Sequence, residues 1–193
     1  VIRWDGARQP ELWHVPAPEM APQAARLELA RRYLHIFGAT TPESFARWAG
    51  IRPPSARVAF AALGSELIPA DTPIGEGWIL CQDEALLREA HGPAAPARLL
   101  PSGDTWFLLQ GADRELLVPD ETQRGELWTS RVWPGALLVD GETSGTWRRA
   151  GHVLTIRAWR RLSGAQQKAV EAEAASMPLP GIERPMEVRW EQH

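Results

Sequence analysis

Three short helical patterns in succession, each with its own start and stop residues, are the feature that most constrains how this chain can fold. Apolar residues recur at helical spacing through residues 21–64, and glycines close all three runs. A proline stands in the first turn of each run, where its missing N–H is tolerated. In the second helix Thr41 is the predicted N-cap and Pro42 the first helical residue. Trp48 falls on the apolar face of that helix, so we expect it to be buried.

A β-hairpin pattern follows the third helix. Residues 66–69 and 78–81 are predicted strands on either side of a glycine-rich turn. Three helices followed by a hairpin is the order of elements in a winged helix-turn-helix, a common DNA-binding unit. We therefore assign residues 21–91 to such a unit. Its third helix is mostly apolar, so the sequence leaves open whether the unit reads bases or serves as a scaffold.

Beyond residue 92 the pattern becomes mainly β. The sequence predicts a β meander with turns at Asp140-Gly141 and Ala150-Gly151, and then a helix that opens with a capping box. The predicted strands cover residues 98–100, 106–109, 136–139, 143–149, 152–160 and 186–190, within a small α+β unit over residues 92–193. The fold class is therefore α+β: a winged helix-turn-helix followed by a small, mainly antiparallel β unit with a C-terminal helix.

The first 20 residues predict a hairpin and a linker. Asp5-Gly6 is a turn signal between two short β-type runs, and prolines at positions 16 and 18 interrupt the chain after them. An isolated hairpin is only marginally stable in water. We therefore expect residues 1–20 to be the wing of a preceding unit that this sequence does not contain, followed by a linker.

Composition narrows the classes of function. The chain carries 21 basic and 24 acidic side chains, a net charge of -3. This balance argues against a strongly basic nucleic-acid binder but leaves a local basic face open. No apolar run approaches the ~20 residues of a membrane span, and no signal peptide is evident. The single cysteine, Cys81, excludes an internal disulfide, so we expect a protein of the reducing cytoplasm.

A search for catalytic and metal-binding patterns is negative. The sequence has no nucleophile elbow, no phosphate-binding glycine loop and no zinc-binding histidine pair, and its five histidines stand singly. We expect Cys81 to be a small buried hydrophobe rather than a nucleophile. The sequence therefore predicts no catalytic residue, no metal site and no cofactor.

The strongest electrostatic feature is a stretch between residues 143 and 161 that carries five arginines and no acid. With a two-residue turn at Ala150-Gly151, Trp147 falls on the core face of a hairpin, and the opposite face is basic and aromatic. Such a face suits a phosphate backbone, although a solvated sheet face would show the same pattern. The candidate DNA-binding residues are Arg148, Arg149, Arg157 and Trp159, with Arg47, Arg52 and Arg57 as a weaker second set.

Two neighbouring motifs carry a resemblance to a known family. Leu29-Ala-Arg-Arg-Tyr-Leu34 followed by Phe37-Gly-Ala-Thr-Thr-Pro-Glu-Ser-Phe-Ala-Arg-Trp-Ala-Gly50 resembles the bacterial winged-helix DNA-binding family that includes the crosslink-unhooking DNA glycosylases of AlkZ type. The resemblance spans residues 1–176, nearly the whole chain. Similar to later motifs of that family are Leu99-Leu-Pro-Ser-Gly-Asp104, Asp113-Arg114 with Leu116-Leu117, and Val139-Asp-Gly-Glu-Thr-Ser-Gly-Thr-Trp-Arg-Arg149.

The resemblance implies tandem winged-helix units that together cradle duplex DNA. It also implies that members with glycosylase activity carry a glutamine–aliphatic–glutamine or glutamine–aliphatic–aspartate motif in their N-terminal part, which places water at the damaged nucleotide. None of the eight glutamines of this chain makes that motif. We therefore expect the C-terminal part of a winged-helix protein, non-catalytic as it stands.

Three functions from different classes stay open. The first hypothesis is a non-catalytic winged-helix fragment that binds duplex DNA weakly, through contacts to the backbone. The alternative is a DNA-repair glycosylase acting on alkylated or crosslinked DNA. A third is a protein-interaction scaffold with vestigial helix-turn-helix geometry, which the acidic balance favours. No membrane partner is expected, and the oligomeric state is left open.

Overall fold

The computed structural model describes residues 2–3, 11–12, 14–17, 19–89, 92–93, 95–177 and 184–191. At its start, strands β1 (Ile2–Arg3) and β2 (Glu11–Leu12) pair antiparallel, as the hairpin prediction requires. The turn predicted at Asp5-Gly6 lies outside the described residues. No helix within the described ranges is long and apolar enough to cross a membrane.

The three predicted helices are confirmed, and capping residues explain where they begin and end. They are α1 (Pro22–Phe37), α2 (Pro42–Ala49) and α3 (Pro53–Leu63). Gly38 ends the first helix at a φ of 71°, and its N–H donates to the carbonyl of Leu34. The side chain of Thr41 accepts a hydrogen bond from the Ser44 N–H at 3.1 Å, which satisfies one of the free donors at the start of α2.

A cluster of aromatic rings forms the core of this helical region. The ring centroid of Tyr33 lies 5.0 Å from that of Phe37 and 5.3 Å from that of Phe45, which is fully buried. Such tilted pairs add to the stability that burial itself provides. Trp48 also contacts Tyr33, at 5.0 Å, but it is only half-buried, contrary to expectation. It lies at the edge of the cluster, where its indole N–H donates to the Thr105 carbonyl at 3.4 Å.

A hairpin follows α3 and is attached to the turn between α1 and α2. Its strands, β3 (Leu67–Thr72) and β4 (Gly75–Leu80), are longer than predicted. The backbones of Thr40 and Trp78 exchange two hydrogen bonds, of 3.1 Å and 2.8 Å. Gly77 permits this close approach, because a Cβ added there would lie 3.0 Å from the Thr40 nitrogen. The hairpin is therefore held against the helices by backbone hydrogen bonds as well as by packing.

Cys81 lies just after this hairpin and is exposed, so the expectation of a buried cysteine was wrong. Strand β4 ends at Leu80, whose side chain is buried, and the next residue begins a turn of 3-10 helix that faces outward. The thiol donates to the carbonyl of Ser65 at 3.3 Å. A short helix, α4 (Glu84–Arg88), follows.

A five-stranded sheet forms the second half of the molecule. Its strands, in their order across the sheet, are β5 (Ala97–Leu100), β6 (Gly135–Val139), β7 (Glu142–Ala150), β8 (Val153–Ala158) and β9 (Glu187–Trp190). Helix α7 (Gly164–Ser176) opens with the predicted capping box and packs Val170 and Ala174 against the sheet. Because this helix lies between β8 and β9, those two strands run parallel, whereas all other neighbours are antiparallel. The mixed α+β class is confirmed.

The strand predicted at residues 106–109 is wrong. The chain forms a 3-10 helix there, Thr105–Leu108, because the Asp104 side chain accepts a hydrogen bond from the Trp106 N–H at 2.8 Å and so caps a turn. Two further short helices, α5 (Ala112–Leu117) and α6 (Glu121–Leu127), were not predicted. Their sequences show little apolar periodicity, because each helix buries few side chains.

Aromatic packing joins this segment to both halves of the molecule. The rings of Trp106 and Trp128 are stacked with centroids 5.1 Å apart, and Phe107 stacks on Trp133 at 5.6 Å. Trp106 and Leu117 pack against the helical core and also against the cluster below the sheet. The helical region and the sheet therefore share side chains across their boundary.

The turn between β7 and β8 differs from the predicted one by a single residue. Ala150 pairs with Val153, so the turn residues are Gly151 and His152 instead of Ala150 and Gly151. Gly151 has a φ of 59°, which glycine adopts without strain. Trp147 consequently pairs with Ile156, whereas a turn at Ala150-Gly151 would pair it with residue 154. The shift spans two positions on the partner strand, so every side chain keeps its predicted face.

The tight contact between β7 and β8 generates a prediction for Gly145. An added Cβ would lie 2.2 Å from the backbone oxygen of Arg157 and 2.9 Å from the Cα of Ala158. Gly145→Ala should therefore destabilise the protein by about 1–3 kcal/mol or more, measured by urea unfolding. Gly125→Ala is the matched control, because Gly125 lies in α6 and a methyl group added there would have nothing within 4 Å. Equal stabilities of the two variants would contradict this pairing of β7 with β8.

Tyr33 generates a second prediction, for stability at high pH. Burial raises the pKa of Tyr33 to about 12, and its hydroxyl lies 3.2 Å from the Thr40 Oγ1. The unfolded chain ionises this tyrosine near its ordinary pKa of about 10, so from there upward the unfolded state loses its proton first and the native state loses stability. In urea unfolding between roughly pH 9 and pH 12, wild type should lose stability faster than Tyr33→Phe. Parallel curves would show that the hydroxyl is not buried.

Candidate nucleic-acid interface

The predicted basic face of the β7–β8 hairpin is present, but it is not open to solvent on all sides. Side chains alternate along each strand, so Arg148 and Arg157 share the face opposite the buried Trp147. This face lines a cleft of about 440 Å³ whose other walls include Glu126 and Glu191. The arginine-rich stretch contains no acid, yet the fold brings two acids to it from other parts of the chain.

Glu126, in α6, contacts two of the candidate DNA-binding residues, Arg157 and Trp159. One of its carboxylate oxygens lies 3.4 Å from the Arg157 Nη2, and the other accepts a hydrogen bond from the Trp159 indole N–H at 2.9 Å. Its side chain is 25% exposed, so solvent screens this contact only in part. The Arg157 side chain is 56% exposed, so a phosphate can approach it, but the phosphate must compete with this carboxylate.

Arg148 and Arg149 are in a different situation. Arg148 donates to the Val132 carbonyl at 3.2 Å and Arg149 to the Gly151 carbonyl at 2.7 Å. Both side chains are exposed, and neither has a carboxylate partner in the part of the chain that the structure describes. A hydrogen bond to a neutral carbonyl does not compensate the positive charge of the guanidinium. These two arginines are therefore the members of the set that can bind phosphate without a competing ion pair. As neighbours in β7 they project from opposite faces of the hairpin, close to its turn.

The second set of candidate arginines also contains members with and without a carboxylate partner. Arg57 pairs with Glu43 at 2.8 Å, and this hydrogen bond lowers the pKa of the Glu43 carboxyl. Arg47 donates only to the Ser44 hydroxyl at 3.0 Å, and Arg52 has no hydrogen-bond or ion-pair partner within the described ranges. No hydrogen bond or ion pair among the described residues joins this set to the hairpin arginines. The two sets are separate candidate contacts on one molecule.

Other arginines serve the fold. The guanidinium of Arg114 lies 4.6 Å from the ring centroid of Trp128 and donates to the Leu109 carbonyl, and burial lowers its pKa. Arg124 donates to two successive carbonyls, at 2.7 Å to Val118 and 2.6 Å to Pro119. Both side chains are half-buried and hold the connections around α5 and α6, whereas those of Arg148 and Arg149 are exposed.

Sequence reasoning missed Glu126, which is the residue that most changes this site. Only Leu127 of α6 is fully buried, so residues 121–127 have too few apolar positions to show helical periodicity. The available signal was Asp120, whose side chain caps α6 by accepting from the Gln123 N–H at 3.0 Å. That signal locates the helix but does not show which residue it brings to Arg157.

The titratable side chains of the described residues do not form a metal-ligand cluster. Within the described ranges, no three histidine, cysteine, aspartate or glutamate side chains come together as a metal ion would need. His35 makes a surface pair, with its Nδ1 3.0 Å from both carboxylate oxygens of Asp83.

Comparisons with known proteins agree with the resemblance seen in the motifs. The family model described as "DNA glycosylase AlkZ-like" matches residues 3–178. The chain is 28% identical over 158 residues to the interstrand DNA cross-link repair glycosylase of Streptomyces sahachiroi, covering 80% of this chain and 42% of that protein. The solved structure of the Streptomyces sahachiroi DNA glycosylase AlkZ matches with a TM-score of 0.72 and 26% identity, over 91% of this chain and 48% of the other.

The chain thus spans less than half the length of the relatives it matches. Their descriptions favour the alternative hypothesis, a DNA-repair glycosylase, and give no support to a family that only binds DNA. The predicted resemblance is confirmed.

The division between paired and unpaired arginines predicts how binding to duplex DNA depends on salt. Arg148→Ala combined with Arg149→Ala should lower the log–log salt slope by nearly two units, at about 0.9 for each phosphate contact. Arg57→Ala combined with Arg157→Ala also removes two charges but should lower it by less than about one unit, because both arginines have carboxylate partners. Fluorescence anisotropy of a labelled duplex over a salt series measures both. Equal losses would show that the pairing does not matter.

Glu126→Gln should tighten duplex binding about threefold to tenfold at low salt, since it removes a negative charge that competes for Arg157. Glutamine retains an acceptor oxygen for the Trp159 indole, so the fold should stay intact. Glu121→Gln is the control, because it removes the same charge from the same helix without a described contact to the hairpin. If the two variants gain equally, net charge alone explains the effect and the competition does not exist.

Proposed function

The chain belongs to the AlkZ-like DNA glycosylase family, and on that premise we propose that it acts in DNA repair, as a glycosylase on alkylated or cross-linked duplex DNA. The observation that carries this proposal is the extent of the match. It covers residues 3–178 and so includes the helical region and four of the five strands of the sheet. A relative described as an interstrand cross-link repair glycosylase supports the substrate class.

We assign to these 193 residues the contacts to DNA. The glutamine motif expected for water activation is not among them, so no step of the chemistry is assigned to a residue of this chain. Arg148 and Arg149 lack carboxylate partners in the described structure and are the first phosphate contacts. Arg157 and Trp159 engage DNA when Glu126 is displaced. Arg47 and Arg52 form the second set, with Arg57 weakened by its pair with Glu43.

A finer division of the fold supports this role. We propose that residues 21–91 form a winged helix-turn-helix, with residues 92–193 as a small α+β unit and residues 1–20 as a hairpin and linker. The bridge between Thr40 and Trp78 supports the first part, because it places an extended segment between α1 and α2 beside strand β4. A short strand at that position completes the small sheet of a winged helix. This arrangement leaves the helices free to lie against a duplex.

The proposal predicts a preference for damaged DNA. Three labelled duplexes, identical except at one position, would carry an unmodified guanine, an alkylated guanine or a stable abasic analogue there. A damaged or missing base lowers the cost of opening the stack, so the chain should bind the last two duplexes several times more tightly than the first. Anisotropy at one fixed salt concentration measures the three affinities. Equal affinities, or no binding to any of them at low salt, would refute the repair function.

The same duplexes report on chemistry. Release of the alkylated base leaves an abasic site, which is cleaved by alkali and seen as a shorter strand. Release above a heat-inactivated control would place the water-activating residue within these 193 residues. If binding is selective for the lesion but no base is released, the role of these 193 residues is limited to contacting DNA.

A further inference from the structure

Two cavities adjoin each other at the end of α1. The larger, of about 340 Å³, lies between α1, the 3-10 helix at Thr105–Leu108 and α5. The smaller, of about 180 Å³, lies between α1, strand β4 and α4. Both are lined by Ile36 and Phe37, so the two cavities lie side by side with these residues between them. We call the two together the α1 groove.

The α1 groove concentrates exposed aliphatic side chains. Ile36 is 67% exposed, Leu86 56%, Leu87 52% and Leu116 44%, and all four line one or the other cavity. They are four of the twelve large apolar side chains exposed in the described part of the chain. Single exposed apolar residues are ordinary, but a cluster around a cavity marks an interaction surface.

The charges around the groove indicate what kind of molecule it accepts. Among the described residues, its lining includes three aspartates and no arginine or lysine. Asp83 is paired with His35, but Asp104 and Asp113 have no cation partner in the described ranges. Each uses one carboxylate oxygen, Asp104 for the Trp106 N–H and Asp113 for the Ser44 hydroxyl. The other oxygen of each has no hydrogen bond within the described structure. Arg47 reaches Asp113 only through the Ser44 hydroxyl that both contact, and no arginine or lysine lines the described groove, so the groove attracts a cation beside an apolar surface.

We propose that the α1 groove docks an amphipathic helix of a separate partner protein, whose aliphatic side chains fill the two cavities and whose lysine or arginine meets Asp104 and Asp113. Anchors spaced at i, i+3 or i+4, and i+7 lie on one face of a helix and can enter cavities on both sides of Ile36. The half-buried Trp106 also lines the larger cavity, as Asp104 does, so the methylene stem of the basic residue meets further apolar surface there. This surface is distinct in chemistry from the arginines assigned to DNA.

The test uses the 193-residue chain with methyl-labelled isoleucine and leucine, titrated with a synthetic amphipathic helix of about 18 leucine and lysine residues. The peptide should shift the NMR signals of Ile36, Leu86, Leu87 and Leu116, and a leucine–glutamate peptide of the same pattern should not. Ile36→Ser should weaken binding about tenfold, as loss of one aliphatic anchor does. Val58→Ser is the matched control, because Val58 is 66% exposed on α3 and does not line the groove.

The charge component is tested separately. Asp104→Asn combined with Asp113→Asn keeps both acceptor oxygens but removes both charges, so binding of the leucine–lysine peptide should weaken and lose most of its salt dependence. Equal losses in Ile36→Ser and Val58→Ser, or shifts confined to signals outside the groove, would overturn the proposal. A dimer of the chain that Ile36→Ser dissociates would also overturn it, since a second copy would then be the occupant. The duplex affinity of Ile36→Ser should equal that of wild type, so this test stands apart from the repair function.

Discussion

The stacking of Trp106 on Trp128 is the interaction on which the relation between the two halves of the molecule depends. The rings lie 5.1 Å apart at 18° from parallel, and the Arg114 guanidinium lies over Trp128. Trp106 also packs against the helical core, so one side chain contributes to the cores of both halves. Because Arg114 lies in α5 and Trp128 directly follows α6, the stack sets the positions of both short helices.

The positions of these helices decide the electrostatics of the surface. Helix α6 carries Glu126 to Arg157 and Trp159, and α5 brings Asp113 to the edge of the α1 groove. A chain with net charge -3 cannot attract DNA by its overall field, so the few arginines without carboxylate partners in the described structure matter more than the total number. The molecule therefore presents surfaces of opposite character, arginines on the β7–β8 hairpin and carboxylates in the groove.

Local chemistry made much of the fold predictable. The end of α1 at Gly38 follows from a single backbone conformation, and the start of α2 at Thr41 follows from a single capping side chain. Both are evident from a few residues. The face on which each residue of β7 and β8 lies also follows from strand alternation. It is as predicted even though the turn lies one residue later than predicted. The strand predicted around Trp106 is wrong because the Asp104 side chain caps a turn of 3-10 helix there, and this local hydrogen bond outweighs the short apolar run that predicts a strand.

The sequence by itself determined the α+β class, the three capped helices, the arginine-rich hairpin and the resemblance to the AlkZ-like family, since each rests on residues close together in the chain or on long motifs. Only the tertiary structure decided which arginines keep an uncompensated charge. Glu126 and Trp159 are 33 residues apart, and nothing in the intervening sequence indicates that they touch. The partner of a surface charge is set by how distant elements pack. A helix with one buried leucine, such as α6, reveals that packing only in the folded molecule.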